Sequence, residues 1–405
     1  TYFSYTDSLM QAKDLRLQTP QTDLQGTITM LPHNGSFGDF VNKVVFDVHL
    51  PKAIVNTTDL NAFYNGFNGG RNIVLEGVTM KGTLNNFVIP QGKISYQNTL
   101  IEGDLAFQNL LSQHANIAVI AKNLHAESIY NDLAYLMPEV LGKNIPEELQ
   151  RLGMFSLDGD FAYRTTSLQT NVWLKTNDGE AHIDGSLDDL THTDKTAFKG
   201  TLTTNQFHLG KILDDPNIGA ISTDMLVRGE GLDFATMKLY ANGTIHSVGY
   251  NGYNYQRIAI NGEFRNQVFS GKIDTRDPNL MMSFNGLADL SGRNNKFDFQ
   301  ADIALADLHA LRFMEKDSIS QFCGKVVIDI SGNQLDDIVG KISFKNTNYI
   351  NSAGDFTFKD FEVVSTLNNG IKEITINSPD IVSGNVKGKF KLTEIKKVLQ
   401  NAVGS

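Results

Sequence analysis

The polar residues that could support chemistry are scattered along the sequence rather than grouped at catalytic or metal-binding spacings. None of the nine histidines lies three or four residues from another, which is the spacing typical of zinc ligands. Three pairs of adjacent aspartates, at 188–189, 214–215 and 336–337, sit beside predicted turns. Adjacent side chains on an extended chain point apart, so these pairs favour turns over general acid–base catalysis. We therefore expect no enzyme activity.

Other short motifs are incomplete. Asp158-Gly159-Asp160 begins like a calcium loop but lacks the downstream ligands. Gly229-Glu230-Gly231 has no third glycine in register and no following basic residue, which favours a turn or bulge over a phosphate-binding loop. Cys323 is the single cysteine, which excludes an intramolecular disulfide and a cysteine-based zinc site. We expect neither a metal nor a cofactor.

Composition excludes further classes of protein. The 405 residues include 35 Lys and Arg against 45 Asp and Glu, for a net charge of -10. An acidic chain lacks the basic field that nucleic acids require, so no nucleic-acid partner is expected. No apolar run approaches the roughly 20 residues of a membrane-spanning helix. The sequence has no initiator methionine and no signal peptide, and we interpret it as a portion of a longer protein.

Apolar and polar residues alternate with a period of two along most of the chain. Residues 155–163 and 297–305, for example, place apolar side chains on one face and mostly polar ones on the other. One apolar and one polar face favour antiparallel strands over a parallel sheet buried on both sides. Asn- and Gly-rich turns, such as 177–179 and 368–370, separate the strands. The pattern predicts long β-meanders.

Short amphipathic helices are predicted to interrupt the strands. They are expected near 59–65, 206–213, 307–315 and 394–400, each after a plausible N-cap residue. A longer helical insert is expected over 124–152. The predicted organisation is therefore an N-terminal β region at 1–123, the insert at 124–152 and continuing β repeats at 153–405.

The apolar stripe along the strands has two interpretations. Two sheets could close on each other as a sandwich or barrel, which makes the stripe an ordinary core. Alternatively, the sheet stays open and leaves an apolar trough that must have a partner. From the residues alone, the closed arrangement is favoured.

Several segments resemble the TamB branch of the AsmA-like family from Gram-negative envelopes, in its Bacteroidetes form. The segments that carry the resemblance are 244–258 (TIHSVGYNGYNYQRI), 262–264 (GEF), 269–273 (FSGKI), 277–280 (DPNL) and 284–286 (FNG), with 19–26 (TPQTDLQG) and 306–311 (ADLHAL). These are strand-and-turn patterns rather than catalytic signatures.

The resemblance implies a periplasmic translocation and assembly module, anchored to the inner membrane by a segment outside this sequence. It also implies an Omp85-type, TamA-like outer-membrane partner and a role in outer-membrane biogenesis. Members of the family are elongated β-troughs with an apolar interior. With this resemblance, the favoured fold becomes mainly β: an elongated antiparallel β-meander curved into an open, β-taco-like apolar trough with short interspersed α-helices.

The leading functional hypothesis is a trough that carries or shields the acyl chains of phospholipids or other lipids between the two membranes. The residues predicted to line it are Ile260, Phe264, Phe269, Ile273, Leu280, Met282, Phe284, Phe297, Phe299 and Ile303. The alternative is a chaperone that templates outer-membrane strands by β-augmentation. A polysaccharide-binding or polysaccharide-cleaving β-sandwich is a third interpretation, but it requires clustered carboxylates that the sequence lacks.

Overall fold

The computed structural model describes residues 1–34, 37–62, 66–111, 116–136, 138, 147–233, 235–292, 295–314, 317–334 and 336–391. The fold is mainly β, with 67% strand and 7% helix, which confirms the predicted open antiparallel meander with few short helices. The chain groups into two compact units. Unit 1 comprises Thr1–His192 and Thr196–Pro216, and unit 2 comprises Thr193–Lys195 and Asn217–Ser405.

In unit 1, each strand pairs antiparallel with the next strand along the chain. The strands are β1 (Tyr2–Thr6), β2 (Leu9–Gln18), β3 (Asp23–Leu31), β4 (Val45–Asn56), β5 (Asn72–Gly82), β6 (Phe87–Tyr96), β7 (Thr99–Gln108), β8 (Ala118–Ile129), β9 (Met154–Arg164), β10 (Ser167–Thr176), β11 (Gly179–Asp188) and β12 (Ala197–His208).

Unit 2 repeats this sequential pairing. Its strands are β13 (Ile218–Glu230), β14 (Lys238–Tyr250), β15 (Tyr253–Arg265), β16 (Val268–Asp277), β17 (Leu280–Asp289), β18 (Lys296–Asp307), β19 (Ser320–Ser331), β20 (Val339–Asn351), β21 (Gly354–Asn368), β22 (Ile371–Asn377) and β23 (Gly384–Gly388). Among the described residues, no pairing within either unit closes its sheet into a barrel.

Tight turns explain why the meander continues without crossovers. Asn251-Gly252 joins β14 to β15, and Asn369-Gly370 joins β21 to β22; all four residues have positive φ. Two consecutive positive φ angles define the type I′ turn, whose twist matches that of paired strands, and Asn and Gly adopt it at the lowest cost. The predicted turn at 368–370 is therefore present, and its residue types account for it.

The helices among the described residues are short, with four to seven residues each. They are α1 (Phe40–Lys43), α2 (Thr57–Leu60), α3 (Tyr130–Leu136), a 3₁₀ helix (Glu147–Leu152) and α4 (Leu209–Leu213). The expected helices near 59–65 and 206–213 correspond to α2 and α4, although residues 63–65 lie outside the described part of the chain. The helix expected at 394–400 also lies outside it. Residues 124–129 of the expected insert belong to β8, and residues 137 and 139–146 are not among those described.

The helix expected near 307–315 is absent from the described residues 307–314, which form turns. Asp307 behaves as the expected cap, because its carboxylate accepts the Ala310 N–H at 2.9 Å and its carbonyl accepts the Leu311 N–H at 2.9 Å. Arg312 then adopts a φ of 64°, which is outside the right-handed helical region. The segment therefore stops after one turn.

Two clusters of buried apolar residues lie in unit 1. One cluster is centred on β4, where Phe46, Val48 and Leu50 alternate inward next to Ala53. A second cluster joins Val78, Ile89, Leu105, Ala121 and Leu124 from consecutive strands. Both clusters lie on the apolar face that the alternation predicts.

A β-bulge explains how Ala121 and Leu124, three residues apart, reach the same cluster. Asn123 has a φ of 50°, and the strand register shifts between Ala121 and Leu124. The Asn123 N–H, which the ladder leaves unpaired, donates to the Asp160 carboxylate at 2.8 Å. The bulge re-aims the strand so that the apolar face continues beyond it.

A buried cluster fixes the turns at one end of β15, β16 and β17. The Asp277 carboxylate, which is fully buried, accepts hydrogen bonds from the Tyr253 hydroxyl at 2.5 Å and from the backbone N–H groups of Gln256 and Asn279, both at 2.8 Å. Burial, followed by the hydrogen bond to Asp277, raises the pKa of Tyr253 to about 12. These bonds set the ends of the strands that carry most of the predicted lining residues.

Glycines allow three strands of unit 2 to approach closely on the apolar face. Gly262, Gly271 and Gly286 are consecutive register partners on β15, β16 and β17. A Cβ atom on Gly271 would lie 2.4 Å from the Gly262 Cα and 2.5 Å from the Asn261 carbonyl oxygen. The neighbouring backbone thus occupies the position that a side chain on Gly271 would need.

We predict that Gly271→Ala destabilises unit 2, because backbone atoms must move to admit the new methyl group. Overpacking of this kind costs about 1–3 kcal/mol in the free energy of unfolding. The measurement is urea-induced unfolding followed by far-UV circular dichroism. Gly384→Ala is the matched control, since a Cβ there meets nothing within 4 Å. Equal midpoints for the two variants would contradict the tight approach at Gly271.

Candidate functional site: the apolar face of unit 2

The ten predicted lining residues lie on four consecutive strands and share one face. Ile260 on β15, Ile273 on β16 and Phe284 on β17 are successive register partners, and Ala301 on β18 follows them. A second row runs parallel to the first, through Phe264, Phe269, Ala288 and Phe297.

The remaining predicted residues complete the same face. Met282 pairs with Ile303, and Phe299 pairs with Gly286 of the glycine row. Leu280 lies at the start of β17, opposite Asp277. The face is aromatic at its centre, since the Phe284 ring centroid lies 4.9 Å from that of Phe299 and 6.1 Å from that of Phe269.

The opposite face of the same four strands is polar. One of its rows consists of Asn261, Lys272, Asn285 and Gln300, which are consecutive register partners. All of these except the partly buried Gln300 are exposed. The sheet is therefore amphipathic, with its two faces separated by a single layer of backbone.

No second layer seals the apolar face in the described part of unit 2. All ten predicted residues remain partly exposed, although each is flanked by apolar neighbours. Residues of a sandwich core are normally buried completely. The architecture is thus an open groove-like sheet, and the closed sandwich that the residues alone favoured is not formed in this unit.

The apolar face extends beyond the predicted residues. From Ala301 the register continues through Val326 on β19, Phe344 on β20 and Phe361 on β21. The alternation that identified the first ten residues is also present in these strands, so the signal was available in the sequence.

Unit 1 carries an apolar face of the same kind. A continuous row of register partners crosses seven of its strands, from β5 to β11: Leu75, Ile94, Ile101, Ala126, Leu157, Leu174 and Ala181. The polar face carries cross-strand ion pairs, such as Lys93 with Glu102 at 3.2 Å. Each unit therefore has one apolar and one charged face.

Histidines on the polar faces contact polar or acidic side chains of neighbouring strands. His182 bonds to Asn171 at 2.9 Å and His246 to Asp224 at 2.8 Å. Within the described residues, no three His, Cys, Asp or Glu side chains are close enough to hold a metal ion. Asp158-Gly159-Asp160 lies inside β9 and not in a loop, with its two carboxylates directed at neighbouring strands.

Asp158 joins His125 in the best-defined charged cluster of unit 1. The His125 Nδ1–H donates to Asp158 at 2.6 Å, Lys175 lies 3.3 Å from the same carboxylate, and Glu127 lies 3.6 Å from the His125 Nε2. The hydrogen bond to Asp158 raises the pKa of His125, and the same bond lowers the pKa of Asp158. This cluster stabilises the polar face and has no open coordination site.

Comparisons with known proteins give no relative. No protein-family model matches the chain, and searches of curated proteins and of solved structures yield no match either. Among the helices of the described residues, none combines the length and the apolar character needed to cross a membrane.

We predict that the His125–Asp158 pair stabilises unit 1 only while both groups are charged. The raised pKa of His125 means that its contribution is complete below about pH 6.5 and is lost as the pH rises through the folded-state value. The lowered pKa of Asp158 means that its contribution is lost as the pH falls through its own folded-state value. His125→Gln should therefore lower the melting temperature more at about pH 5.5 than at about pH 9.

The control is His49→Gln, because His49 is an exposed histidine of unit 1 whose observed partner is the uncharged Thr79 hydroxyl, at 3.4 Å. Its effect on the melting temperature should be the same at both pH values. A pH-independent effect of His125→Gln would show that the pair contributes no charge interaction.

Proposed function

We propose that this chain is a periplasmic component of outer-membrane biogenesis whose apolar sheet face carries or shields lipid acyl chains. The observation that supports the proposal is the unsealed apolar face: large aromatic and aliphatic side chains in continuous rows, partly exposed, on a single-layer sheet. An apolar surface of this extent requires a partner, and hydrocarbon chains need no specific polar contacts.

The size of the predicted site matches one acyl chain. The strands β15 to β18 are separated by three inter-strand steps of about 4.8 Å, or about 14 Å in total. A bilayer has a hydrocarbon core of about 30 Å, so the acyl chains of one leaflet extend about 15 Å. A single chain laid across the strands would therefore follow one row and contact each of the four strands once.

The energetics favour transfer without a tight site. A chain of about sixteen carbons gains about 12 kcal/mol on leaving water for an apolar surface, at about 0.8 kcal/mol per CH₂. It loses a similar amount on leaving a bilayer, so entry into the groove is nearly neutral. Successive residues of one row, such as Ile273, Phe284 and Ala301, offer similar apolar contacts, and the headgroup stays in water at the open edge.

The resemblance to the TamB branch of the AsmA-like family supports the wider setting. On that basis the complete protein is anchored in the inner membrane by a segment outside this sequence and meets an Omp85-type, TamA-like partner in the outer membrane. The groove in this chain would then form part of a path for phospholipids or other acyl lipids between the two membranes.

The groove hypothesis predicts that Phe284→Asp combined with Phe299→Asp removes bound lipid. Two carboxylates at the aromatic centre, where the rings lie 4.9 Å apart, would have to be desolvated by an acyl chain. Lipid that co-purifies with the protein, measured by extraction and mass spectrometry, should fall by at least about tenfold, since about 1.4 kcal/mol suffices for that.

The matched control is Asn285→Asp combined with Gln300→Asp, which adds the same two charges on the polar face of the same strands. Its lipid content should equal that of the unchanged protein. If the Phe284 and Phe299 variant retains its lipid and its function, the apolar face is not the route.

A second candidate function is templating of outer-membrane strands by β-augmentation, and β1 is the observation that favours it. Its described pairing is with β2 alone, and it exposes Tyr2, Phe3 and Tyr5 without any charged residue or proline to protect the edge. Phe3→Pro would remove an outward-facing edge donor without altering the apolar face of unit 2, because Phe3 and Ala12 form a non-hydrogen-bonded pair of the β1–β2 ladder.

We expect Phe3→Pro to leave co-purified lipid and outer-membrane protein levels unchanged, because the proposed route does not use the β1 edge. The measurement is quantitation of outer-membrane proteins in cells that carry the variant as their sole copy. Loss of these proteins with normal lipid content would favour templating over lipid transport.

A further inference from the structure

An exposed arginine without a counter-charge lies at one end of the strands that carry the predicted lining residues. Arg312 belongs to the turn segment between β18 and β19, and its guanidinium packs against Gly252 in the turn between β14 and β15. A Cβ on Gly252 would lie 2.9 Å from the Arg312 Cζ and closer still to its Nη1. The guanidinium forms no ion pair among the described residues. In a chain with a net charge of -10, such an arginine requires an explanation.

The backbone fixes the position of Arg312. Its segment is tied to the turn between β16 and β17, because the Asp307 N–H donates to the Asn279 carbonyl at 2.9 Å. Leu311, the residue before Arg312, is only 2% exposed. Arg312 itself has a φ of 64°, a left-handed conformation that is costly for a residue with a side chain and that recurs at ligand-binding sites. The arginine is therefore held at this end of the sheet.

The groups around Arg312 combine hydrogen-bond donors with exposed apolar side chains. On the turn that its guanidinium contacts, Tyr250 and Asn251 are exposed, and neither side chain has a hydrogen-bond partner among the described residues. Phe313 and Met314, which follow Arg312, are 66% and 42% exposed. A ligand that suits these neighbours carries an anionic group next to a hydrocarbon.

The described carboxylates of the same end are engaged by other groups. Asp277 is fully buried and accepts hydrogen bonds from the Tyr253 hydroxyl and from two backbone N–H groups. Asp307 accepts a backbone N–H of its own turn, and Asp317 accepts from Ser352. The donors of Arg312 therefore remain available. A guanidinium presents them as a planar fork whose geometry matches a phosphate.

We propose that Arg312 binds the phosphate of a phospholipid whose acyl chain lies on the apolar face of unit 2. This inference rests on the proposed function of the groove and narrows its substrate to lipids that carry a phosphate. Tyr250 and Asn251 supply further donors from the neighbouring turn. The phosphate stays in water at the end of the strands, and the acyl chain continues over Leu280, the predicted lining residue at this end of β17.

A contact of this kind selects a lipid without trapping it. Hydrogen bonds to a charged group are stronger than those between neutral groups, but water and salt weaken an ionic contact at an exposed side chain. We therefore expect Arg312 to favour a phospholipid over the same lipid without its phosphate by about threefold to tenfold.

The test compares two lipids that have the same acyl chains and differ in the headgroup. The whole chain is incubated with phosphatidylcholine vesicles that contain equal amounts of phosphatidylglycerol and diacylglycerol, and is then re-isolated. Extracted lipids are quantified by mass spectrometry. Phosphatidylglycerol should be enriched over diacylglycerol about threefold to tenfold relative to the vesicles, and the enrichment should decrease as the salt concentration rises.

Arg312→Gln should return the ratio of the two lipids to that of the vesicles, while the amount of bound diacylglycerol persists. Arg312→Lys keeps the charge but not the planar fork, so part of the enrichment should remain. Arg265→Gln is the matched control, because Arg265 is an exposed arginine at the opposite end of β15. This control should leave the ratio unchanged.

Inorganic phosphate distinguishes a lipid headgroup from a free ion. Calorimetric titration of the unchanged protein with phosphate should show no binding at about 1 mM, because the ionic contact alone lacks the contribution of the acyl chain. Phosphate binding below this concentration that is lost in Arg312→Gln would assign the site to the free ion and overturn the proposal.

The remaining outcomes separate the phosphate site from the groove. Equal recovery of phosphatidylglycerol and diacylglycerol overturns the phosphate site and leaves the groove standing, as does an enrichment that Arg312→Gln does not change. Recovery of neither lipid overturns the groove itself. The ratio measured with the unchanged protein decides the selectivity even if Arg312→Gln does not fold.

Discussion

The fold depends on a sheet that is a single layer thick. Antiparallel pairing satisfies the backbone hydrogen bonds of each strand with its neighbours along the chain, so the ladder is complete without any second layer. Such a ladder does not by itself bury the side chains of either face. One face of unit 2 is polar and meets water; the other, with residues such as Phe284 and Phe299, is covered only by its own side chains. The functional proposals follow from this difference in burial between the hydrated polar face and the incompletely covered apolar face.

Close approach of the strands reduces the exposure of the apolar face without eliminating it. The row of glycines at Gly262, Gly271 and Gly286 lets adjacent backbones approach until a Cβ would overlap them, so apolar side chains on either side of the row can approach each other. Bulges work with the glycines: the positive φ of Asn123 or Asn346 keeps the apolar face continuous where strict alternation fails. The apolar side chains of this face are therefore partly shielded from water and partly exposed.

The sequence was sufficient for the strands and for the face but not for the bulges and helix ends. Period-two alternation predicts that Ile260, Ile273 and Phe284 lie on the apolar face, because successive side chains of a strand point to opposite faces. It does not predict that Ala121 and Leu124 share a cluster, since that requires one residue with positive φ and a carboxylate from the next strand. The helix expected after Asp307 has its cap, and the φ of Arg312, set by the turn back to β19, ends it. The local helix propensity after Asp307 is expressed in its first turn, and tertiary context overrides it beyond that turn.

Transport limits how strongly the apolar face of unit 2 can bind a lipid. The face must bind hydrocarbon almost equally along its length, because a deep minimum would hold the chain and slow its movement. Equivalent apolar contacts, however, give a bound chain no preferred orientation. In the proposed path the orientation therefore depends on the headgroup, which stays in water at the open edge because burying a polar group without a partner is unfavourable.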